Sequence, residues 1–209
     1  MRLIALLSSG IDSPVAAFLM AERGAETFLL HMDNRPFSSE LGVRKAILLA
    51  EALRRATGQE MPLYVAPHGE NQAINKERCR SCFQCVLCKR LMLRTAQEVA
   101  TRMGATGIVT GDSLGQVASQ TLDNLRAEQD GISLPVLRPL IGLDKLEIER
   151  MARRIGTYET SIISDGTKDC TAVPSHVITN ASLIDVLAEE AKVDMGSMAR
   201  RAAERAVQI

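Results

Sequence analysis

Apolar and polar positions alternate in blocks along this chain. Residues 3–7, Leu-Ile-Ala-Leu-Leu, form an unbroken apolar run that reads as a buried strand. The mostly small and polar stretch Ser8, Ser9, Gly10, Ile11, Asp12 and Ser13 then predicts a tight turn. Residues 14–20 predict a helix with Pro14 in its first turn, where a missing N–H costs little. Residues 27–32 read as a second strand ending at Met32. Residues 41–57 carry Val43, Ala46, Ile47, Ala50 and Leu53 at helical spacing, with Gly58 just past the end. A third strand is predicted at 61–66, then a polar, cysteine-rich connection, then a helix at 86–103. Residues 107–110 form a short fourth strand. A fifth falls within 134–140, where Pro135 and Pro139 confine it to an edge or a short span. Residues 144–155 read as a helix, 157–180 show little periodicity, and 182–207 read as one or two terminal helices.

This alternation predicts an α/β fold, a parallel sheet with helices on both faces. Ligands on such sheets bind at the carboxyl ends of the strands. The segments after Leu7, Met32 and Thr110 are therefore expected at one edge. Strand, small-residue loop and helix N-terminus together suit phosphate, because small side chains let backbone N–H groups reach an anion and the helix dipole favours negative charge. An ordinary strand-to-helix turn would look the same locally. The loop lacks both the Gly-Lys-Ser/Thr ending of the Walker motif and G-x-G-x-x-G. Residues 110–121, with Thr110, Gly111, Gln116 and Gln120, supply glycines, hydroxyls and amides suited to a second wall of such a site.

Composition narrows the class. At 209 residues the chain is one generous domain or one domain with a small appendage. Aromatics are 3% and tryptophan is absent, so the core must be aliphatic and methionine-rich. Lys+Arg and Asp+Glu balance at 25 each, which removes any general attraction to nucleic acid or membrane. No apolar run approaches the ~18 residues of a membrane span. Met1-Arg2 leads directly into a core strand, so no signal peptide is read and a cytoplasmic location is expected. His31, His68 and His176 are expected to be structural or incidental.

Four of the five cysteines, Cys79, Cys82, Cys85 and Cys88, recur every third residue. That spacing signals metal or redox chemistry rather than disulfides, and fits poorly with buried small hydrophobes. Two arrangements are open. All four could hold zinc or form a compact ferredoxin-like run. Alternatively, Cys85 and Cys88 join Cys170 in a three-cysteine iron–sulfur site.

The first loop resembles the SGGxDS loop of the PP-loop ATP pyrophosphatases, with Ser9, a residue that disfavours positive φ, where the first glycine usually stands. Over 7–16, 89–92, 109–122, 137–141, Asp144-Lys145 and 152–157 the chain is similar to the PP-loop domain of the ThiI family of tRNA 4-thiouridine synthetases. The resemblance runs from about residue 3 to about residue 176. It implies a Rossmann-like fold of the adenine nucleotide alpha hydrolase type. The ATP-binding domain would span 1–180 with a cysteine-rich insertion at about 76–88, and a helical extension would span 181–209. It implies an ATP-dependent sulfurtransferase that adenylates a uridine carbonyl oxygen in tRNA and replaces it with sulfur, giving 4-thiouridine.

By the same resemblance, Ser8 to Ser13, Met32, Thr110, Gly111, Gln116 and Gln120 would bind ATP, with Met32 against adenine. Asp12 would place Mg2+ or pyrophosphate, Lys145 would neutralise the leaving charge, and Cys170 would act in sulfur transfer. The resemblance favours Cys85, Cys88 and Cys170 as ligands of an iron–sulfur cluster. Neither the THUMP module nor the rhodanese domain of some relatives is recognisable. A separate RNA-binding protein and sulfide or a sulfur-donor protein are therefore expected as partners, with a homodimer as a further option. Lys89, Arg90 and Arg94, and Arg200, Arg201 and Arg205, are the candidate cations for RNA phosphates. Other readings remain: an ATP-dependent thiolase for another tRNA position or a small metabolite, and a non-catalytic iron–sulfur or zinc sensor that binds nucleotide.

Overall fold

The sheet is built outwards from the first strand. In the computed structural model, which describes all of residues 1–209 except 116–119 and 169, β1 (Arg2–Leu6) pairs in parallel with β2 (Glu26–Asp33) on one side and β4 (Ile108–Val109) on the other. β3 (Leu63–Pro67) extends the β2 side and β5 (Val136–Leu137) closes the β4 side, both parallel. β6 (Val207–Gln208) lies antiparallel against β3, so the order is β5-β4-β1-β2-β3-β6. β1 is central because neither of its faces can meet water: Leu3 and Leu7 point into one apolar cluster and Ile4 into another.

The first cluster is covered by α1 (Asp12–Glu22), α2 (Leu41–Thr57) and α6 (Lys145–Arg154), through Val15, Ala17, Leu49, Leu53, Ile148 and Ala152. The second is covered by α4 (Gln84–Met103) and α9 (Met195–Glu204), through Leu93, Ala96, Val99, Ala100 and Ala203. Helices therefore flank both faces, as the alternation predicts. After β3 the chain returns across the sheet to place β4 on the far side of β1. The order reverses between β1 and β4, and the loops that leave their carboxyl ends splay apart there.

Local chemistry sets several boundaries. Gly58 ends α2 in the left-handed region at φ 69°. Asp144 and Glu147 form a reciprocal capping box at the start of α6. The proline-flanked β5 is an edge strand, as expected.

Other details differ from the sequence reading. The polar connection after β3 contains α3 (Gly69–Arg78), whose few apolar residues hide its period. α5 (Leu122–Gln129), capped by the Thr121 side chain, fills a stretch to which the sequence reading assigned no element. In α2, Leu49 and Ala52 are buried whereas Ile47 is exposed, because Lys45 occupies the inner face. The terminal segment forms α8 (Leu183–Glu190) and α9, and then β6. Short α7 (Tyr158–Ser161) interrupts the aperiodic stretch. Among the described residues no helix is long and apolar enough to cross a membrane.

Candidate functional site

A cleft of about 830 Å3 opens where the strand order reverses. Ser8, Ser9, Gly10, Ile11, Asp12 and Ser13 line it from the β1 side, Thr110 and Gly111 from the β4 side, and Met32 from the end of β2. Gln120 also lines it; Gln116 lies outside the described residues. Ser13 organises the first loop: its Oγ accepts from Ser8 N at 2.8 Å and lies 2.9 Å from Ser8 Oγ. No side chain caps the start of α1, so its first amides remain available to an anion.

Ser9 is accommodated without strain, because among the described residues Met61 is the only non-glycine with positive φ. Gly111, by contrast, is required by close approach. A Cβ there would stand 2.6 Å from Ser13 N, so only glycine lets the two walls meet.

Charge enters the cleft from two directions. Lys145, the first residue of α6, places Nζ 2.6 Å from Asp12 Oδ1 at the mouth. Deeper, Lys89 Nζ donates to Asp112 Oδ1 at 3.1 Å and stands 3.7 Å from Glu128 Oε1. Asp112 also accepts from Thr110 Oγ1 at 2.7 Å and from Arg138 Nε at 3.3 Å. Burial raises the Asp112 carboxyl, but Lys89, Thr110 and Arg138 outweigh burial and hold it below its ordinary value. Glu128 is as buried, and burial, with the neighbouring Asp112 charge, outweighs Lys89 and Arg138 and pushes it up to about 8. The two carboxyls beside one lysine are thus pushed in opposite directions.

Three cysteines reach the same cleft. Cys85 and Cys88 lie in the first two turns of α4, and Cys170 approaches from the aperiodic stretch. Burial and mutual proximity raise the Cys85 and Cys88 thiols above their ordinary values. Cys88 Sγ lies 3.2 Å from His68 Nε2, and Cys170 Sγ accepts from Asn34 Nδ2 at 3.4 Å. Cys79 turns elsewhere, donating to the Glu189 carbonyl of α8 at 3.5 Å, and packs with Cys82 in a third apolar cluster formed with α8 and α9. The four-cysteine zinc arrangement is therefore not formed. Among the described residues no three His, Cys, Asp or Glu side chains stand close enough to hold a single metal ion.

The segment that carries Cys170 is tied to the β2–α2 connection. Buried Lys45 donates to the carbonyls of Ser161 and Ile163 at 2.8 and 2.9 Å. Ser39 Oγ donates to Asp165 at 2.7 Å, and Thr171 N to the Phe37 carbonyl at 2.7 Å. Ser161 Oγ in turn donates to the Gly10 carbonyl of the first loop at 3.2 Å.

Lys89, Arg90 and Arg94 do not form a basic face for RNA. Lys89 is engaged in the cleft; fully buried Arg90 bonds Glu190 and the Ala127 carbonyl, and Arg94 pairs with Glu190 at 2.6 Å. Helical spacing could not distinguish inward from outward cations. Asn34, Lys45 and Glu128 escaped the sequence reading, and His68 was expected to be structural or incidental, because none lies in a spaced motif with the residues it meets. His176 is exposed, and His31, which also lines the cleft, bonds the Leu7 carbonyl.

Comparison with known proteins gives a consistent result. The model of the ThiI family, described as thiamine biosynthesis protein, matches residues 1–195. A probable tRNA sulfurtransferase of Methanothermobacter thermautotrophicus is 44% identical over 93% of this chain and 50% of its own length. One of Thermus thermophilus is 46% identical over 92% of this chain and 47% of its own. The chain thus spans about half the length of these curated relatives. A crystal structure of a 4-thiouridine synthetase–RNA complex with bound ATP superposes with a TM-score of 0.92 at 33% identity, over 100% of this chain and 54% of that one.

Proposed function

The chain belongs to the ThiI family, and on that premise we propose that it carries the ATP-dependent half of a tRNA sulfurtransferase that converts uridine to 4-thiouridine. The observation that carries this reading is the sharing of one cleft by the Ser8–Ser13 loop and by the thiols of Cys85, Cys88 and Cys170. A nucleotide site and a sulfur site are each common. Their union suits a reaction that activates an oxygen and then replaces it with sulfur.

In the proposed first step, uridine O4 attacks the α-phosphorus of ATP and the base releases its N3 proton. The bond from that phosphorus to the bridging oxygen breaks, and pyrophosphate leaves. This step needs positioning and charge neutralisation more than acid–base work. The amides of 9–13 would hold phosphate, with Thr110, Gly111, Gln116 and Gln120 forming the opposite wall and Met32 meeting adenine. Asp12 would share its carboxylate between Lys145 and Mg2+ on the departing pyrophosphate, and Lys145 would neutralise the charge that develops there. In the second step, hydrosulfide adds at C4 and AMP leaves, with sulfide or a sulfur-donor protein as the source.

Cys85, Cys88 and Cys170 suit an iron–sulfur cluster better than a single ion. They are soft donors in one cavity, and cluster ligands bind different irons and so stand farther apart than ligands around one ion. When bound, a cluster with three protein ligands leaves one iron open to sulfide. Residues 1–180 would then be the ATP-binding unit and 181–209 its helical support.

The test is ATP–pyrophosphate exchange by the anaerobically purified chain with tRNA, combined with iron and sulfide analysis and thionucleoside analysis of the product. Exchange, brown protein with near-stoichiometric iron and sulfide, and 4-thiouridine are expected. Nucleotide binding without exchange would overturn the catalytic reading in favour of a sensor. A different thionucleoside would overturn the substrate position.

A further inference from the structure

Two of the three thiols in the cleft meet an uncharged N–H donor. His68 Nε2 is 3.2 Å from Cys88 Sγ, and Asn34 Nδ2 is 3.4 Å from Cys170 Sγ. Both donors belong to one backbone unit. His68 N donates to the Asp33 carbonyl at 2.8 Å. Gly69 backs directly onto the Arg35 carbonyl, where a Cβ would stand 1.7 Å from the oxygen. The segments 33–35 and 68–69 are therefore locked together, and each presents a nitrogen to a different sulfur.

The His68 ring is fully buried, and its Nδ1 has no partner among the described residues. A neutral imidazole carries one N–H, on one ring nitrogen or the other. A thiolate bound to metal offers only lone pairs. The contact with Cys88 is retained in a loaded site when the proton sits on Nε2, which leaves Nδ1 as the unpaired acceptor. That is the atom found without a partner. Asn34 serves Cys170 by its amide in the same way, with its Oδ1 also unpaired among the described residues.

Thiolates and cluster sulfides concentrate negative charge in a site that burial already makes hostile to it. Reduction adds one more negative charge. Donors aimed at sulfur stabilise the reduced state more than the oxidised one, which raises the potential.

We propose that His68 and Asn34 are positioning residues that donate N–H···S hydrogen bonds to Cys88 and Cys170, orient these sulfurs in the cleft, and raise the reduction potential of the iron–sulfur cluster they hold. The inference rests on the cluster reading given under the proposed function.

The experiment is anaerobic reconstitution of the full chain with iron and sulfide, followed by metal analysis and a redox titration monitored by electron paramagnetic resonance. His68→Leu and Asn34→Leu are expected to lower the midpoint potential at unchanged iron content, and the double variant to lower it further. His68→Gln, which keeps an N–H donor, is expected to stay nearer the wild-type value. Equal midpoints in wild type and both leucine variants overturn the proposal, as does a His68→Gln midpoint as low as that of His68→Leu. If His68→Leu takes up no iron, His68→Gln decides: regained loading supports the donor role and absent loading overturns it. Wild-type chain that takes up no iron overturns the cluster reading and this inference with it, a result distinct from a loaded cluster with an unmoved potential.

Discussion

Lys145 Nζ lies 2.6 Å from the Asp12 carboxylate across 133 residues of sequence. The pair forms because α6 packs on α1 through Ile148 and Ala152, and because the Asp144–Glu147 capping box starts α6 at Lys145. Both side chains are partly exposed, so the ion pair itself adds about 0–1 kcal/mol to stability. Its value is positional, since it holds an anion and a cation at the mouth of the cleft. Asp12→Ala and Lys145→Met should each lower ATP–pyrophosphate exchange by about 10²–10³-fold, the scale of losing one charge-stabilising group. Thermal denaturation should show little change. Wild-type exchange by Asp12→Ala would remove the phosphate-loop assignment.

Cys170 sits on a segment tied to the β2–α2 connection, and adenylation has no use for a thiol. Cys170→Ser should keep ATP–pyrophosphate exchange and lose thiolation, read as exchange rate and 4-thiouridine content on the same preparation. Loss of both activities, or retention of both, would show that the half-reactions are not divided between the first loop and this cysteine.

Gly111 is where the two walls of the cleft meet, with room for no Cβ against Ser13 N. Gly111→Ala should push the walls apart at a cost of about 1–3 kcal/mol, the range for overpacking. A lowered melting temperature together with weakened ATP binding is expected. A variant as stable and as tight-binding as wild type would contradict the contact.

Arg90 is fully buried, bonded to Glu190 and to the Ala127 carbonyl. Arg90→Ala leaves the Ala127 carbonyl without this donor and Glu190 with Arg94 alone, and should destabilise the chain by about 1–3 kcal/mol, the scale of a buried acceptor left unpaired. Chemical denaturation should reveal this cost, whereas an RNA-contact residue on a solvated face would leave stability unchanged and weaken only RNA binding.

Glu128 carries the pH signature of the site. Burial raises its carboxyl from 4.5 to about 8, so between those values the folded chain binds a proton that the unfolded chain has released. Stability from this group is present below the lower value and is lost as pH rises through the upper one. Glu128→Gln keeps the neutral shape and should flatten the fall of melting temperature across that window. An unchanged slope would mean that Glu128 is ionised beside Lys89.

The chain pattern by itself determined the α/β class, the central strands, the flanking helices, and the order in which residues 8–13 and 110–111 arrive at the sheet edge. These are local or periodic properties: a strand buried on both faces must be apolar throughout, and a helix on a sheet must repeat its apolar face. Spacing alone also singled out the run Cys79, Cys82, Cys85 and Cys88 for metal or redox chemistry, and favouring Cys85 and Cys88 within it needed the family resemblance. Recognising Lys145 as a charge partner of the first loop needed the family resemblance.

Tertiary structure decided what periodicity cannot carry. It separated Cys79 and Cys82 from Cys85 and Cys88, because α3 and the turn after it direct the first pair towards α8 and the second into the cleft. It turned Arg90 inwards, because α5 and α8 cover that side of α4 and offer the Ala127 carbonyl and Glu190 as partners. It placed Lys89 3.1 Å from Asp112 and 3.7 Å from Glu128, whose carboxyl burial raises. It also placed His68 and Asn34 beside two sulfurs, through the pinning of Gly69 on the Arg35 carbonyl. Each of these depends on which side chains from distant segments are brought within a few ångströms, where burial and Coulomb terms are largest. The packing of the sheet and its helices makes that selection, and no local pattern encodes it.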